Sequence, residues 1–580
     1  MKRHILLLAA LLAAMAGCQP RLEDGEYHMT LLTTNDIHGR YFDSTYVDGN
    51  VRKSLIGVSR IADSVRLEDG PSRVVMIDAG DILQGDNATY YYNYVDTLSP
   101  HVYPLMATYM GYDAVIWGNH DVETGHPVYD RVNRELSFHH IPWLAGNAIR
   151  NDNGKPYFPL YTVRECDDLK VLIIGYGNAN IKGWLNESLW SGMHFNPIVD
   201  CVQADVDRLR RKEKPDVVIV AMHSATGKGD GTSLEGEALD VFNAIRGVDF
   251  VVASHDHKPY TESRETMAFI NTGSHCRYLG IGKLSLQVKR GKVIAKTVSA
   301  GLIPVDEHKP DAQMRRIFQE SYEKVKAFTL QEVGELRCDL VTREAYAGMN
   351  NYLNLVHTLQ LGCAPARISL AAPLTYNGQV KAGTLIYNDL FTIYPYENQL
   401  YVVNLTGAEL KALLEASYDR WIQDPSEGHV LRIKERDDPR TGQKGWSFVE
   451  RSYNFDSAAG IRYTVDVTAP AGKRVQIESF ADGTPFSEAE TYPVAMTSYR
   501  ASGGGGLLQE AGVDTGKIDD RVVARYKEIR EILYDYLKEH SVIDPALIGD
   551  PAVIGSWRFI PEKQAEPALR RDLLLLFGEK

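Results

Sequence analysis

Five short segments of the chain carry side chains able to hold metal ions: Asn35-Asp36-Ile37-His38-Gly39, Asp78-Ala79-Gly80-Asp81, Gly118-Asn119-His120-Asp121, Met222-His223-Ser224 and Ser254-His255-Asp256-His257. Each closes a short apolar run, respectively His28–Thr34, Val74–Ile77, Ala114–Trp117, Val217–Met222 and Phe250–Ala253. Runs of this length, rich in Val and Ile, read as buried strands. In open α/β sheets the residues just past the carboxyl ends of strands converge on one crevice, so groups far apart in sequence can meet there. Residues two apart in an extended chain point the same way, so Asp36 with His38, and His255 with His257, are each expected to aim two ligands at one centre. Carboxylate, imidazole and amide donors without thiolate suit Zn²⁺, Mn²⁺, Fe²⁺ or Co²⁺. The number of donors suggests two ions. Two ions roughly 3.5–4 Å apart can clamp a phosphoryl group and acidify a water for in-line attack, so the expected reaction class is phosphoester hydrolysis.

A sixth run, Val171–Ile174, and helix-length segments between most of the runs fit a layered α/β domain. Asp311–Phe328 has apolar residues at Met314, Ile317, Phe318, Tyr322, Val325 and Phe328, the spacing of an amphipathic connecting helix. Mixed helix and strand signals follow. The expected organisation is a metal-binding α/β domain over 19–305, a linker helix over 306–330, an α+β domain over 331–550 and a tail over 551–580.

With 63 Lys and Arg against 76 Asp and Glu, the net charge of −13 argues against binding nucleic acid through a basic surface. A 44% hydrophobic composition is that of a folded globular protein. Lys2 and Arg3 precede the apolar stretch Ile5–Ala16, which falls short of the ~20 residues that span a bilayer. Met15-Ala16-Gly17 then presents small residues before Cys18. This is the layout of a secretory signal, and it resembles a bacterial lipoprotein signal over residues 1–18. The resemblance implies that Cys18 is acylated and anchors the protein to a membrane, on its periplasmic side or at the cell surface. Cys166, Cys201, Cys276, Cys338 and Cys363 form no C-x-x-C pair and are expected to be structural.

The ordered set Thr34-Asn-Asp-Ile-His-Gly39, Asp78-Ala-Gly-Asp81, Gly118-Asn-His-Asp121, His223 and His255-x-His257 resembles the calcineurin-like metallophosphoesterases, and among them the secreted bacterial 5′-nucleotidase family. The resemblance covers nearly the whole mature chain. It implies that Asp36, His38, Asp81 and His257 hold one metal, with Asp81 bridging, and that Asn119, His223 and His255 complete the second. It also implies that His120 pairs with Glu123, at a position where relatives often carry aspartate, to stabilise the transition state or protonate the leaving oxygen. Asp121 and Asp256 are expected to support the ligands without binding metal.

Two segments of the second domain place a tyrosine beside turn formers: Asn388-Asp-Leu-Phe-Thr-Ile-Tyr-Pro-Tyr-Glu-Asn398 and Thr497-Ser-Tyr-Arg-Ala-Ser-Gly-Gly-Gly-Gly506. The resemblance implies that Tyr396 and Tyr499 sandwich a nucleotide base and that Asn398 contacts it. Relatives specialised for 5′-nucleotides carry an arginine-bearing glycine-rich loop and an acid at the end of the second motif. Here the corresponding stretch Ala371–Gln379 has no arginine, and Gly505 stands where the acid would be. Together with Tyr453-Asn-Phe-Asp456 and Gly460, this wording looks more like the branch that opens 2′,3′-cyclic nucleotides and removes 3′-phosphates. The expected partners are therefore a small nucleotide and a lipid anchor, with no stable nucleic-acid partner, for a monomeric enzyme. A 5′-nucleotidase or UDP-sugar hydrolase is the alternative, and a non-catalytic nucleotide-binding lipoprotein is the reading from another class.

Overall fold

A computed structural model describes residues 22–290, 292–437 and 444–578, so the signal segment and Cys18 lie outside the described residues. The chain divides into two compact units, one comprising the described residues up to Ile181 with Ser188–Glu323, the other Lys182–Glu187 with Lys324 onward.

All six apolar runs are strands, divided three and three between two six-stranded sheets rather than sharing one. In the first sheet Gly25–Thr34, Val74–Asp78, Ala114–Ile116 and Trp143–Leu144 lie parallel in that order, with Tyr278–Lys289 and Lys292–Pro304 added antiparallel on the other side. In the second, Leu169–Tyr176, Val217–Met222, Phe250–Val252 and Ala268–Thr272 are the parallel centre. The strand Val217–Met222 is buried at every residue, and its two faces have different partners. Val217, Ile219 and Ala221 join Leu31, Val75, Ile77 and Ile116 of the first sheet in one core. Val218, Val220 and Met222 join Val202, Val206 and Leu209 of the helix Ile198–Glu213 in another. A strand sandwiched this way needs apolar residues at both parities, which explains the unbroken Val/Ile runs.

The connecting segment is two helices, Ala312–Ile317 and Gln319–Thr329, interrupted at Phe318. Asp311 caps the first by accepting from the N–H groups of Gln313 and Met314. In the second unit a five-stranded sheet runs Ser457–Ala459, Ile368–Ala371, Thr491–Thr497, Gln399–Thr406, Val522–Glu528. The helix Gly407–Trp421 starts at a Thr406–Glu409 capping box, and its Leu410, Leu413, Leu414, Tyr418 and Trp421 fill the core. The C-terminal segment is built into this unit: Gly555–Ile560 pairs in parallel with Ile461–Asp466, and helix Glu562–Phe577 sends Asp572 to accept from the N–H groups of Val430 and Leu431. Among the described residues no helix is long and apolar enough to cross a membrane, and the five cysteines from Cys166 to Cys363 are free thiols.

Ile219 is fully buried between the two sheets. Ile219→Ala should destabilise the first unit by about 2–5 kcal/mol, read from its denaturant midpoint, because the sheets flanking it cannot collapse into the void.

Candidate metal centre

The site forms where the carboxyl ends of strands from both sheets meet. Asp36 and His38 follow Gly25–Thr34, Asp81 follows Val74–Asp78, and Asn119 and His120 open a short helix after Ala114–Ile116. From the second sheet come His223, directly after Val217–Met222, and His255 and His257 beyond Phe250–Val252. All seven expected ligands come together, in two groups: Asp36, His38 and His257; and Asp81, His223 and His255, with Asn119 Oδ1 lying 3.0 Å from His223 Nε2 and 2.8 Å from His255 Nδ1.

One expectation needs correction. His255 and His257 do not aim at one centre, since they belong to different groups. The backbone explains it: Asp36, His38, Asp81, His255 and His257 all adopt left-handed conformations, with φ of 48°, 47°, 59°, 73° and 59°. These are turns, so the strand rule of alternate faces does not apply. Such conformations are strained for residues other than glycine and persist where the surroundings over-determine them.

The surroundings do so here. The Asp36 N–H donates to Gly80 O (2.9 Å) and the His38 N–H to Asp81 O (3.1 Å). Asp121 sits beneath the second loop, its carboxylate accepting from the N–H groups of Asp81, Ile82, Leu83 and Gly118 at 2.8–3.1 Å. Asn35 straps the two sheets, donating to Asp36 Oδ2 (2.6 Å) and Gly273 O (2.7 Å) while accepting from Thr272 N–H (2.9 Å). Asp256 accepts from Asn271 Nδ2 at 2.9 Å. A Cβ at position 118 would strike Asp81 Oδ1, so glycine is required where that loop closes on the carboxylate.

The donor set fits divalent cations. Asp36 Oδ1 and Asp81 Oδ2 are buried without a hydrogen-bond partner, and buried carboxylate oxygens are otherwise satisfied. His223 Nδ1 faces the carbonyl of Ala79 at 2.8 Å, which can only accept, so Nδ1 carries the proton. Its Nε2 then faces Asp81 Oδ2 at 3.1 Å and Asn119 Oδ1 at 3.0 Å. Three converging ligand atoms need positive charge between them, which the Nε2 proton supplies until a metal ion replaces it. In the other group His38 Nε2 and His257 Nε2 lie 2.9 Å apart, with Asp36 Oδ1 3.9 and 3.5 Å away.

Ionisation follows the same geometry. Burial holds His38 well below the usual imidazole range and His257 down to about 3, so both are neutral and ligand-ready. Burial opposes charge on His223 as well, but the Asp81 carboxylate outweighs it and raises His223 to about 9. Burial raises Asp36 to about 7. Burial pushes Asp81 up too, yet the charges of His223 and His120 pull it well below the usual carboxylate range.

His120 donates its backbone N–H to Asp81 Oδ1 (2.9 Å), and its Nδ1 meets Glu123 Oε2 at 2.6 Å. Its ring lies edge-on to His38, with centroids 5.3 Å apart. Two neighbours escape the motif reading. Glu235 Oε1 lies 3.4 Å from His255 Nε2, the nitrogen not facing Asn119. His275 stacks on His38 with centroids 5.2 Å apart and donates its N–H to Asp36 O. His275 lies just beyond the strand Ala268–Thr272, so the strand-end rule applied to one more strand finds it; Glu235 stands in an irregular loop and has no sequence signal.

In the second unit Asn398 and Tyr499 line one small cavity, of about 20 Å³, with Gln360, Tyr394, Tyr453, Asp456 and Arg500. Tyr396 is not among its lining residues; it is half-buried on the adjoining loop. Tyr453 meets Tyr499 edge-on with centroids 6.2 Å apart. Arg500 is buried and bidentate on Asp456, at 2.7 and 2.9 Å, and also donates to the carbonyls of Tyr453 and Gly504. Gly504 lies against the Tyr499 ring where any Cβ would collide with it.

Residues 29–259 match the family described as calcineurin-like phosphoesterase, and residues 329–511 match the 5′-nucleotidase C-terminal domain. The trifunctional nucleotide phosphoesterase protein YfkN of Bacillus subtilis is 24% identical over 90% of this chain, which spans only 38% of that protein's length. The 2′,3′-cyclic-nucleotide 2′-phosphodiesterase/3′-nucleotidase of Haemophilus influenzae is 24% identical over 97% of this chain and 92% of its own. A crystal structure of a candidate 5′-nucleotidase from Staphylococcus aureus shares the fold, with a TM-score of 0.75 at 20% identity, covering 92% of this chain and 100% of that one.

Two measurements test the centre. Binding of Mn²⁺ or Zn²⁺ near pH 7 should release protons, because His223 must give up its Nε2 proton; the heat measured in buffers of different ionisation enthalpy should differ accordingly, and affinity should fall as pH drops below about 9. Asp121→Asn, which disturbs the N–H clamp and no expected ligand, should weaken metal binding by about 10–100-fold in the same titration.

Proposed function

The chain belongs to the 5′-nucleotidase family, a calcineurin-like phosphoesterase domain followed by a 5′-nucleotidase C-terminal domain, and from that premise we propose that this metallophosphoesterase opens 2′,3′-cyclic nucleotides and then removes the remaining 3′-phosphate. The observation that supports this branch is the state of Arg500. It is the arginine of the second base-site motif, and it is buried and spent on Asp456 and two backbone carbonyls, so it is not offered to a 5′-phosphate. The stretch Ala371–Gln379 supplies no arginine in its place.

Asp36, His38, Asp81 and His257 would hold one divalent ion, and Asn119, His223 and His255, with Asp81 shared, the other. When bound, the ions supply Lewis-acid stabilisation of the phosphoryl oxygens and an acidified water. The remaining work falls to His120. Glu123 fixes its ring through Nδ1, so Nε2 is the nitrogen that hands a proton to the departing oxygen. In the first step the bond from phosphorus to O2′ breaks as the bond to the water oxygen forms; in the second the bond to O3′ breaks in the same manner. Tyr396 and Tyr499 stack the base and Asn398 contacts it.

We also propose that residues 1–18 are a lipoprotein signal with Cys18 acylated, so that the enzyme works outside the cytoplasm on a lipid anchor, and that it is a monomer. Incorporation of labelled palmitate that disappears in Cys18→Ala would support this.

Phosphate release from 2′,3′-cyclic AMP, 3′-AMP, 5′-AMP and a UDP-sugar tests the assignment, with added phosphatase to reveal ring opening alone. Cyclic and 3′ substrates should be preferred; preference for 5′-AMP would move the enzyme to the 5′-nucleotidase branch. His120→Ala should lower kcat about 10²–10⁴-fold. Tyr499→Ala should raise KM for the nucleotide by the ~1–3 kcal/mol of one stacking contact.

A further inference from the structure

The loop Tyr394–Asn398 carries two of the three residues assigned to the base, yet it lies between the helix Tyr387–Ile393 and the strand Gln399–Thr406 with no regular structure of its own. What holds it is the start of another helix, Ile529–His540, more than a hundred residues further along the chain. Arg530 is completely buried there. Its Nη1 donates to the carbonyl of Tyr394 at 3.1 Å and its Nη2 to Glu397 Oε1 at 2.7 Å. The face of the guanidinium lies 4.0 Å from the Phe391 ring centroid. The preceding residue, Ile529, donates its N–H to the carbonyl of Asn398 at 3.0 Å. Residues 529 and 530 therefore grip positions 394, 397 and 398, on both sides of Tyr396.

We propose that the Arg530–Glu397 pair is the positioning device of the base-reading loop, holding Tyr396 and Asn398 in register. This rests on the assignment of Tyr396 and Asn398 to the base. A buried ion pair gives little net stability compared with apolar residues of the same shape, so its return is geometric. Arginine suits the task because its rigid fork reaches a carbonyl and a carboxylate at once while its face rests on an aromatic ring. Lysine has the charge but not the fork.

The test compares the full-length protein, loaded with Mn²⁺, on 2′,3′-cyclic AMP and on bis(p-nitrophenyl) phosphate, which has no base. Glu397→Gln and Arg530→Met should each raise KM for the cyclic nucleotide at least tenfold with kcat within about twofold, and leave the base-free ester unaffected. Arg530→Lys should fall between them and the parent. Glu397→Gln preserves shape and the bond from Arg530 to Tyr394, so it carries the test if Arg530→Met does not fold. Unchanged KM in a folded Glu397→Gln, or equal losses on both substrates, would overturn the proposal while leaving the nucleotidase reading standing. A parent enzyme that cleaves the base-free ester and no nucleotide would overturn both.

Discussion

Two buried carboxylate oxygens, Asp36 Oδ1 and Asp81 Oδ2, converge with the nitrogens of the surrounding imidazoles in two groups. Uncompensated negative charge in a protein interior is costly, and only positive charge at that point relieves it. Much of the first unit can be understood as maintaining this arrangement. Five of the expected ligands sit in left-handed turns. Asp121 ties down four backbone N–H groups under the Asp81 loop, and Asn35 fastens one sheet to the other. The two-sheet core behind the site supplies the rigidity that these strained turns require.

The same principle governs the second unit on a smaller scale. Arg500 and Asp456 form a buried pair, with the glycines at 504 and 505 allowing the chain to pass close to Tyr499, Asn454 and Arg500. Arg530 and Glu397 form another, under the neighbouring loop. In each case a charged pair is consumed in shaping a segment that carries an aromatic ring. Binding surfaces built on loops need such internal braces, since a loop has no ladder of backbone hydrogen bonds to fix it.

The motifs were legible because metal ligation constrains residue type. Only a few side chains bind divalent ions, and five strand ends bearing them in order is a pattern that packing does not produce. The proposed base site was less legible. Tyrosines pack cores as readily as they stack bases, and in a chain with 32 of them the type carries little information. Asn398 and Tyr499 share a cavity while Tyr396 stands beside it, a distinction with no counterpart in spacing. Glu235 and Arg530 were invisible for a related reason: each acts through a partner 20 or more residues away, and neither belongs to a periodic pattern.

By itself the sequence determined the chemistry, because ligand identity and strand-end placement are local properties that survive without coordinates: a dimetal site for phosphoesters in an α/β domain, followed by an α+β domain. The tertiary structure decided what keeps apart the two ligand sets that the family resemblance implies. The pairing of His257 with Asp36 and of His255 with Asp81 depends on turn conformations, set by hydrogen bonds between loops from different strands. It also decided that six similar strands divide between two sheets, since an apolar run buried on both faces does not specify whether a helix or a second sheet covers each one.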